Sequence, residues 1–335
     1  MRILLLAGGA GTRLWPLSTE DRPKQFLPIL SDKSLIAEVY ERVRPLAQDE
    51  RVFVATTAAY GRLVRDALPD LPPERILCEP ARRNSGPALL AAAVRFAADG
   101  DPVTAAIPAD QTVRDGEAFR AALSEAASLA GEASVVILTA VPTRPEPDFG
   151  YVEIEHKGGR VSGFTEKPRP EQAQRLTGTG RHFWNAGIFV FRPSRLLAEA
   201  RRVAPDLMRG VEAFAASGAA KDYEALPNIS IDYAVMEKAA DVRAVALDAG
   251  WSDVGTWRSV RELRGASDAA GNLVLSPVPV IAPGVRDTAI VVGDGGVLVL
   301  PFEREGELRA AVDALRVAER GEAVRDSRRA DRGPR

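Results

Sequence analysis

Short apolar runs alternate along the chain with longer segments in which apolar residues recur every three or four positions. The runs "RILLLA", "RVFVAT", "VTAAIP" and "SVVILTA" predict buried strands, whereas "SLIAEVYERVRPL" and "PALLAAAVRFAA" predict helices. In the first of these helices an apolar face is formed by Leu35, Ile36, Val39, Tyr40 and Val43. This alternation predicts an α/β fold with a mostly parallel sheet and helices on both of its faces.

The pattern changes after Gly150. There "YVEIE" and "RVSGF" flank "HKGG", which predicts an antiparallel hairpin before the next strand, "FWNAGIFVF", and therefore a mixed sheet. We expect one long helix over residues 194–216, then a short helix around "SIDYAVMEKA", the strand "VRAVAL" and a helix through Arg261. Together these segments predict a main domain over residues 1–263.

The rest of the chain has a different composition of elements. The runs "GNLVLSPVPVIAPG" and "AIVVGDGGVLVLP" predict short strands, and a helix over residues 305–319 is expected to follow them. They predict a small, β-rich C-terminal module over residues 264–323. Residues 324–335 have no apolar face, so we expect a disordered tail there.

Composition and charge narrow the function classes. The 335 residues have a net charge of -2, so there is no broad basic field for a nucleic acid or an anionic membrane, and an anion must bind at a local site. The apolar start is too short for a signal peptide or a membrane span, which predicts a cytoplasmic protein. Cys78 is the single cysteine and only two histidines are present, so neither a disulfide nor a cysteine-histidine zinc site is expected. A metal ion would need oxygen ligands.

The loop after the first strand has the composition of a phosphate-binding loop. Gly8, Gly9 and Gly11 allow backbone N–H groups to approach phosphate oxygens, and Arg13 and Lys24 add charged donors. The loop has no Gly-Lys-Ser/Thr ending, so it is not a P-loop, and it lacks the third glycine of the dinucleotide fingerprint. A tight turn with solvated basic residues is the plainer explanation and stays open at this point.

The opening loop is the first of several motifs that occur in the same order in one enzyme family. The pair "GGAGTRLWPLS" and "PKQF" resembles the signature of the sugar-nucleotide pyrophosphorylases, and the likeness continues through "EPARRNSGPA", "IPADQ", "FGYVE", "FTEKP", "WNAGIFVF", "SIDYAVMEK" and "WSDVGTW". The blocks are most similar to those of mannose-1-phosphate guanylyltransferases. The resemblance implies a Rossmann-like nucleotidyltransferase domain that converts GTP and mannose 1-phosphate to GDP-mannose and diphosphate.

The resemblance also implies which residues bind the nucleotide. Arg13 and Lys24 would contact the triphosphate and the departing diphosphate, although exposed loop charge is the plainer explanation for both. The other residues that it implies are Leu6, Ala7, Gly8, Gly9, Gly11, Thr12, Asn84, Ser85, Pro108 and Asp110. Asn84 and Ser85 are equally suited to capping a helix. No residue is assigned to the hydrogen-bond donor edge of guanine.

Two aspartates are implied as the metal site. By the resemblance, Asp110 and Asp253 bind Mg²⁺ and are catalytic together with Arg13 and Lys24, and carboxylate oxygens are ligands of the kind that Mg²⁺ prefers. From the residues alone, both aspartates are ordinary turn and cap residues, which is the plainer explanation. Gln111 stands where many family members have histidine, which leaves the role of that side chain open.

Four residues are implied for the sugar phosphate: Gly150, Glu166, Lys167 and Asn185. Lys167 would hold the phosphate, Glu166 and Asn185 would bind sugar hydroxyls, and Gly150 would leave room for the ring. Because proline restricts the residue before it, Pro168 predicts an extended backbone at Lys167. The plainer explanations are a lysine at a hairpin edge for Lys167 and ordinary strand packing for the segment that contains Asn185.

Other functions remain possible at this point. One is a sugar-1-phosphate nucleotidyltransferase that uses a thymidine or uridine nucleotide, and another is a non-catalytic subunit that senses a sugar nucleotide. The joint presence of Arg13, Lys24, Asp110, Lys167 and Asp253 argues against the sensor, which needs no metal or leaving-group cations. An NAD-dependent dehydrogenase is disfavoured by the broken fingerprint. The C-terminal segment resembles a module that some relatives use in dimer contacts, so we expect a homodimer.

Overall fold

The computed structural model describes residues 1–9, 12–47, 51–133, 135–155 and 159–317. These residues form two compact units, of which the first comprises 1–9 and 33–253 and the second 12–32 and 254–317. The domain boundary at residue 263 stays a prediction. The tail expected at 324–335 and most of the turn "HKGG" lie outside the described residues.

A mixed, mostly parallel sheet forms the centre of the first unit. Its strands are β1 (Arg2–Leu6), β2 (Val52–Thr57), β3 (Ile76–Glu79), β4 (Thr104–Pro108), β5 (Val135–Ala140), β6 (Tyr151–Ile154), β7 (Val161–Thr165), β8 (His182–Phe191) and β9 (Val242–Ala246). Seven of them follow the order β3-β2-β1-β4-β8-β5-β9. Strands β3, β2, β1 and β4 are parallel, whereas β8 runs antiparallel between β4 and β5. The carboxyl ends of the four parallel strands therefore lie side by side at one edge.

Helices cover this sheet. They are α1 (Leu35–Val43), α2 (Gly61–Ala67), α3 (Ser85–Ala98), α4 (Gly116–Leu129), α5 (Pro170–Thr177), α6 (Pro193–Val203), α7 (Pro205–Ser217), α8 (Ala220–Glu224) and α9 (Ile231–Ala234). The predicted apolar face of α1 is buried. The core includes Leu89 and Leu90 of α3, which pack with Ile137 of β5 and Phe189 of β8. Apolar burial of this kind is the main stabilising contribution to the fold.

One predicted element is wrong. The single helix expected over residues 194–216 is two helices, α6 and α7, separated at Ala204. Pro205 has no N–H to continue the helical ladder, and it disfavours the helical conformation of the residue before it. Ala204 accordingly has φ −140° and ψ 56°.

The predicted hairpin is present, since β6 and β7 pair antiparallel and β6 also pairs with β8. The second unit contains α10 (Trp257–Arg264), β10 (Leu273–Leu275), β11 (Thr288–Gly293), β12 (Gly296–Pro301) and α11 (308–317). Its three strands form a separate sheet in which β10 and β11 are parallel and β11 and β12 antiparallel. This small sheet agrees with the β-rich module that the sequence predicts. Within the described ranges, no helix has both the length and the apolar composition to cross a bilayer.

Candidate active site

A cavity of about 440 Å³ lies in the first unit at the carboxyl ends of β1 to β4. Seven predicted nucleotide-binding residues line it, namely Leu6, Gly8, Gly9, Asn84, Ser85, Pro108 and Asp110. Ligands of open α/β sheets bind at this edge, because the loops that follow parallel strands meet there. The cavity has a volume within the range of small-molecule sites.

The remaining predicted nucleotide residues that the structure describes do not line this cavity. Ala7 is buried beneath it, where its N–H donates to Ala55 and its carbonyl accepts from the Thr56 hydroxyl at 3.0 Å. Gly11 and the side chain of Thr12 lie outside the described residues. Arg13 and Lys24 belong to the second unit.

Lys24 is buried despite its charge. It is 4% exposed, and its Nζ donates to the Val254 carbonyl at 3.4 Å. Arg13 is exposed on a 3₁₀ turn, Thr12–Leu14. A buried ammonium is costly unless it is hydrogen-bonded, so Lys24 is held at a fixed place in its unit rather than left as a solvated loop charge.

The start of α3 is shaped by Asn84 and Ser85. Asn84 has φ 68° and ψ −176°, a backbone conformation that is rare for residues other than glycine, and its side chain accepts from the Ser85 N–H at 2.8 Å. The Ser85 hydroxyl accepts from the Ile231 N–H at 3.0 Å. Both side chains thus have the capping and tethering roles that the plainer interpretation allows, and both also line the cavity.

Sequence reasoning missed the most informative residue of the cavity, Glu79. This residue ends β3, and its Oε2 accepts a hydrogen bond from the hydroxyl of Tyr223 on α8. Burial raises the pKa of Glu79 to about 7, and the hydrogen bond from Tyr223 acts in the opposite direction. A carboxyl group at the end of a strand, inside a motif already singled out, was the signal that could have identified it.

Two arginines from the same motif also line the cavity. Arg82 donates to the Tyr60 hydroxyl at 2.5 Å, and the Nε of Arg83 donates to the Glu224 carbonyl at 3.0 Å. These hydrogen bonds fix the directions of both guanidinium groups. The cavity therefore combines the glycines Gly8 and Gly9 with two cations and two acidic side chains, a composition suited to a charged, polar ligand.

The two predicted metal ligands lie on neighbouring stretches of backbone. Asp110 follows β4, and Asp253 follows a short antiparallel bridge in which Thr112 and Ser252 exchange two hydrogen bonds of 2.9 Å. Among the described residues there is no cluster of three or more His, Cys, Asp or Glu side chains that could enclose a metal ion. Two carboxylates with the other positions left to water and substrate phosphates are the usual protein contribution to a Mg²⁺ site. The donor chemistry of the two carboxylates therefore suits Mg²⁺, and the metal site stays a prediction.

Gln111 connects this region to the rest of the first unit. Its Oε1 accepts from the Trp251 indole N–H at 2.9 Å, and its Nε2 donates to the Ala186 carbonyl at 2.8 Å. The side chain thus fixes the segment that follows Asp110 against the segment that precedes Asp253. The sequence left the role of the Gln111 side chain open. In the structure the side chain joins these two segments, and a glutamine makes both hydrogen bonds without a titratable group.

A second group of polar residues forms around the end of the hairpin. The Asn185 N–H donates to the Gly150 carbonyl at 2.8 Å, and the carboxylate of Glu166 accepts from Lys167 Nζ at 2.5 Å. A Cβ on residue 150 would collide with Glu166 Oε2, so a larger residue at this position would displace the end of the Glu166 side chain. The four residues predicted for the sugar phosphate are therefore brought together.

The structure adds Asp232 to this group. Its Oδ1 accepts from Asn185 Nδ2 at 2.8 Å, and burial, followed by the nearby charge of Glu166, raises the pKa of Asp232 to about 6. Burial disfavours the charge of Lys167, but the hydrogen bond and charge of Glu166 outweigh it and raise the pKa of Lys167. We name Glu166, Lys167, Asn185 and Asp232 the hairpin-end cluster.

The predicted backbone of Lys167 is wrong. Its φ is 47°, in the left-handed region, rather than extended. In an extended strand neighbouring side chains point to opposite faces, so Lys167 could not pair with Glu166 beside it. The turned backbone brings the two side chains of adjacent residues to the same side.

Comparison with known proteins agrees with this geometry. The model of the nucleotidyl transferase family matches residues 2–268. The chain belongs to this family. It is 35% identical to the xanthan biosynthesis protein XanB of Xanthomonas campestris pv. campestris over 350 residues, covering 96% of this chain and 74% of the relative. It is 32% identical to a mannose-1-phosphate guanylyltransferase of Klebsiella pneumoniae, covering 96% of this chain and 75% of that protein.

Solved structures support the same fold. A Thermus thermophilus protein described as a mannose-1-phosphate geranyltransferase superposes with a TM-score of 0.86 at 36% identity, covering 94% of this chain and 99% of that one. The chain is thus an α/β nucleotidyltransferase with a mostly parallel sheet and a separate small β-rich sheet. Nucleotidyl transferases of this family generally use divalent metal ions.

Proposed function

We propose that this nucleotidyltransferase joins mannose 1-phosphate to the guanylyl group of GTP. A phosphate oxygen of the sugar phosphate attacks the α-phosphorus of GTP, the bond from that phosphorus to the bridging oxygen of the β-phosphate breaks, and diphosphate leaves. Positioning and charge stabilisation supply most of the catalysis in such a transfer. The name of the Klebsiella pneumoniae relative supports mannose and guanine as the substrate groups, and the name of the Thermus thermophilus structure supports mannose.

The observation that favours guanine most directly is the position of Glu79. Guanine presents two adjacent donors, N1–H and the 2-amino group, and an ionised carboxylate can accept from both. Glu79 lines the cavity together with Gly8 and Gly9, and a Cβ on Gly8 would stand only 3.6 Å from Glu79 Oε1. We assign Glu79 to the guanine edge, the backbone of Gly8 and Gly9 to the nucleotide, and Asn84 and Ser85 to its immediate surroundings.

We assign the metal to Asp110 and Asp253. When bound, Mg²⁺ neutralises charge on the phosphates of the nucleotide. Asp110 lines the cavity, and the bridge between Thr112 and Ser252 sets the backbone that leads to both carboxylates. Arg13 and Lys24 are proposed as the cations for the triphosphate and the departing diphosphate.

The hairpin-end cluster is proposed to bind mannose 1-phosphate. The Lys167 side chain is 53% exposed although it pairs with Glu166, so its ammonium can reach a phosphate without losing its protein partner. Asn185 and the two carboxylates offer donors and acceptors for sugar hydroxyls. A cation that is held in place before the reaction stabilises the attacking phosphate without a cost of reorganisation.

A matrix of nucleotides against sugar 1-phosphates tests this proposal. Diphosphate release would be measured for GTP, ATP, UTP and dTTP with mannose 1-phosphate and with glucose 1-phosphate, in Mg²⁺ and in excess chelator. We expect the highest kcat/KM for GTP with mannose 1-phosphate, and no release with chelator. A preference for glucose 1-phosphate with UTP or dTTP would contradict the assignment, and binding without release for every pair would indicate a sensor.

A further inference from the structure

The two oxygens of Glu79 have different surroundings. Oε2 accepts from the Tyr223 hydroxyl, whereas Oε1 is the oxygen near Gly8. Tyr223 is 0% exposed, and its ring packs edge-on against Phe214 with the centroids 4.8 Å apart. Packing therefore fixes the direction of the hydroxyl, and the hydroxyl fixes the rotation of the carboxylate.

The charged groups near Glu79 do not replace this contact. Arg82 and Arg83 line the same cavity but donate to Tyr60 and to the Glu224 carbonyl, respectively, and Asp110 lines it with a charge of the same sign as Glu79. In the part of the chain that the structure describes, no ion pair to Glu79 is present, and Tyr223 is its side-chain hydrogen-bond donor. The Cys78 thiol, one residue before Glu79 on β3, is a further titratable group near it.

We propose that Tyr223 is a positioning residue for base selection, which favours the ionised form of Glu79 and orients this carboxylate toward the donor edge of guanine. This inference rests on the proposed use of GTP. A neutral carboxyl group carries its own O–H donor and has lost an acceptor, so it cannot accept fully from both N1–H and the 2-amino group. The hydrogen bond from Tyr223 favours the charged form, because hydrogen bonds to a carboxylate stabilise it over the acid.

The inference predicts that recognition of the base, and not binding of the phosphates, depends on pH. Because burial raises the pKa of Glu79 to about 7, discrimination in favour of guanine should rise as the pH increases through that value. ITP has the same phosphates and the same N1–H as GTP but lacks the 2-amino group. The ratio of kcat/KM for GTP to kcat/KM for ITP therefore cancels titrations at the phosphates and the metal, and reports on the base edge.

Tyr223→Phe is the decisive variant, since it keeps the ring and removes only the hydroxyl. We would measure diphosphate release with GTP and with ITP from pH 6 to pH 8.5, with Tyr40→Phe as the matched control. Tyr40 is a second buried tyrosine of the first unit, and it does not line the cavity. In Tyr223→Phe we expect kcat/KM for GTP at pH 7 to fall about tenfold and the rise of the GTP-to-ITP ratio to move to higher pH.

Three outcomes would overturn the inference. The first is an unshifted ratio profile in Tyr223→Phe, with GTP and ITP affected equally, which would indicate a purely structural role. The second is a kcat/KM for GTP in Tyr223→Phe that equals the wild-type value. The third comes from Glu79→Gln, whose amide does not titrate: a ratio that still rises with pH in this variant refutes the inference even if Tyr223→Phe does not fold. A wild-type enzyme that prefers another nucleotide would instead refute the proposed function.

Discussion

Asp232→Asn removes a negative charge that the fold accommodates at a cost. Burial is the largest cause of the raised pKa of this carboxyl group, and the charge of Glu166 is the second. The hydrogen bond from Asn185 and the charge of Lys167 act in the opposite direction but do not restore the ordinary value. The asparagine oxygen can still accept from Asn185, so the substitution removes the charge and keeps this contact.

The size and sign of the effect follow from the two pKa values. The pKa of Asp232 is about 6 in the folded protein against 3.8 ordinarily, and this difference corresponds to about 3 kcal/mol. Below about pH 4 the carboxyl group is protonated in both states, so it has no effect on stability. Between pH 4 and pH 6 the unfolded chain ionises first, which favours unfolding, and above pH 6 the full cost is present. Asp232→Asn should therefore stabilise the protein by up to about 3 kcal/mol at pH 7.5, and by much less near pH 4.

Urea unfolding of wild type and variant at pH 7.5 and at pH 4.5 measures this effect. Asp70→Asn is the matched control, since Asp70 is exposed in a turn. The same variant should have a raised KM for mannose 1-phosphate, because a hydroxyl acceptor of the hairpin-end cluster is weakened. A variant that is no more stable than wild type at pH 7.5, or whose gain is equal at both pH values, would refute the reasoning.

Three further substitutions test the proposed roles. Asp253→Asn should lower kcat by about 10²–10³ with an unchanged thermal unfolding curve, and full activity in the variant would exclude it as a metal ligand. Lys167→Ala should raise KM for mannose 1-phosphate and lower kcat while calorimetry gives an unchanged GTP affinity, and the reverse pattern would move it to the nucleotide. Lys24→Ala should lower kcat/KM for GTP and leave KM for mannose 1-phosphate unchanged, with the exposed Lys33→Ala as control; a defect confined to the sugar phosphate would contradict it.

Much of the fold could be predicted because its signals are local. The apolar runs of β1 to β5 and the helical periodicity of α1 stand in the sequence as uninterrupted patterns. The antiparallel direction of β8 was not predictable from its own residues, since a run such as "FWNAGIFVF" is apolar on both faces whichever way it runs. Pro205 was a local signal that the helix ends before it, but the prediction of one long helix followed the apolar periodicity and disregarded the proline.

The site was predicted where its residues follow strands directly, and missed where a residue acts through a distant partner. Asp110 and Asn84 belong to motifs, and the cavity includes them. The contact between Glu79 and Tyr223 joins residues 144 positions apart, and that between Asn185 and Asp232 joins residues 47 apart. Raised pKa values at Glu79 and Asp232 result from burial in the folded chain, which no short stretch of sequence specifies.

The single cysteine has a practical consequence for measuring these equilibria. Cys78 is exposed and immediately precedes Glu79 on β3, and adjacent residues of a strand point to opposite faces. A fluorescent maleimide on Cys78 would therefore be attached one residue from the proposed base-binding carboxylate, with its linker directed away from the cavity. Because the chain has no other cysteine, the unmodified sequence could be labelled at one position and titrated with nucleotide directly, without a measurement of turnover.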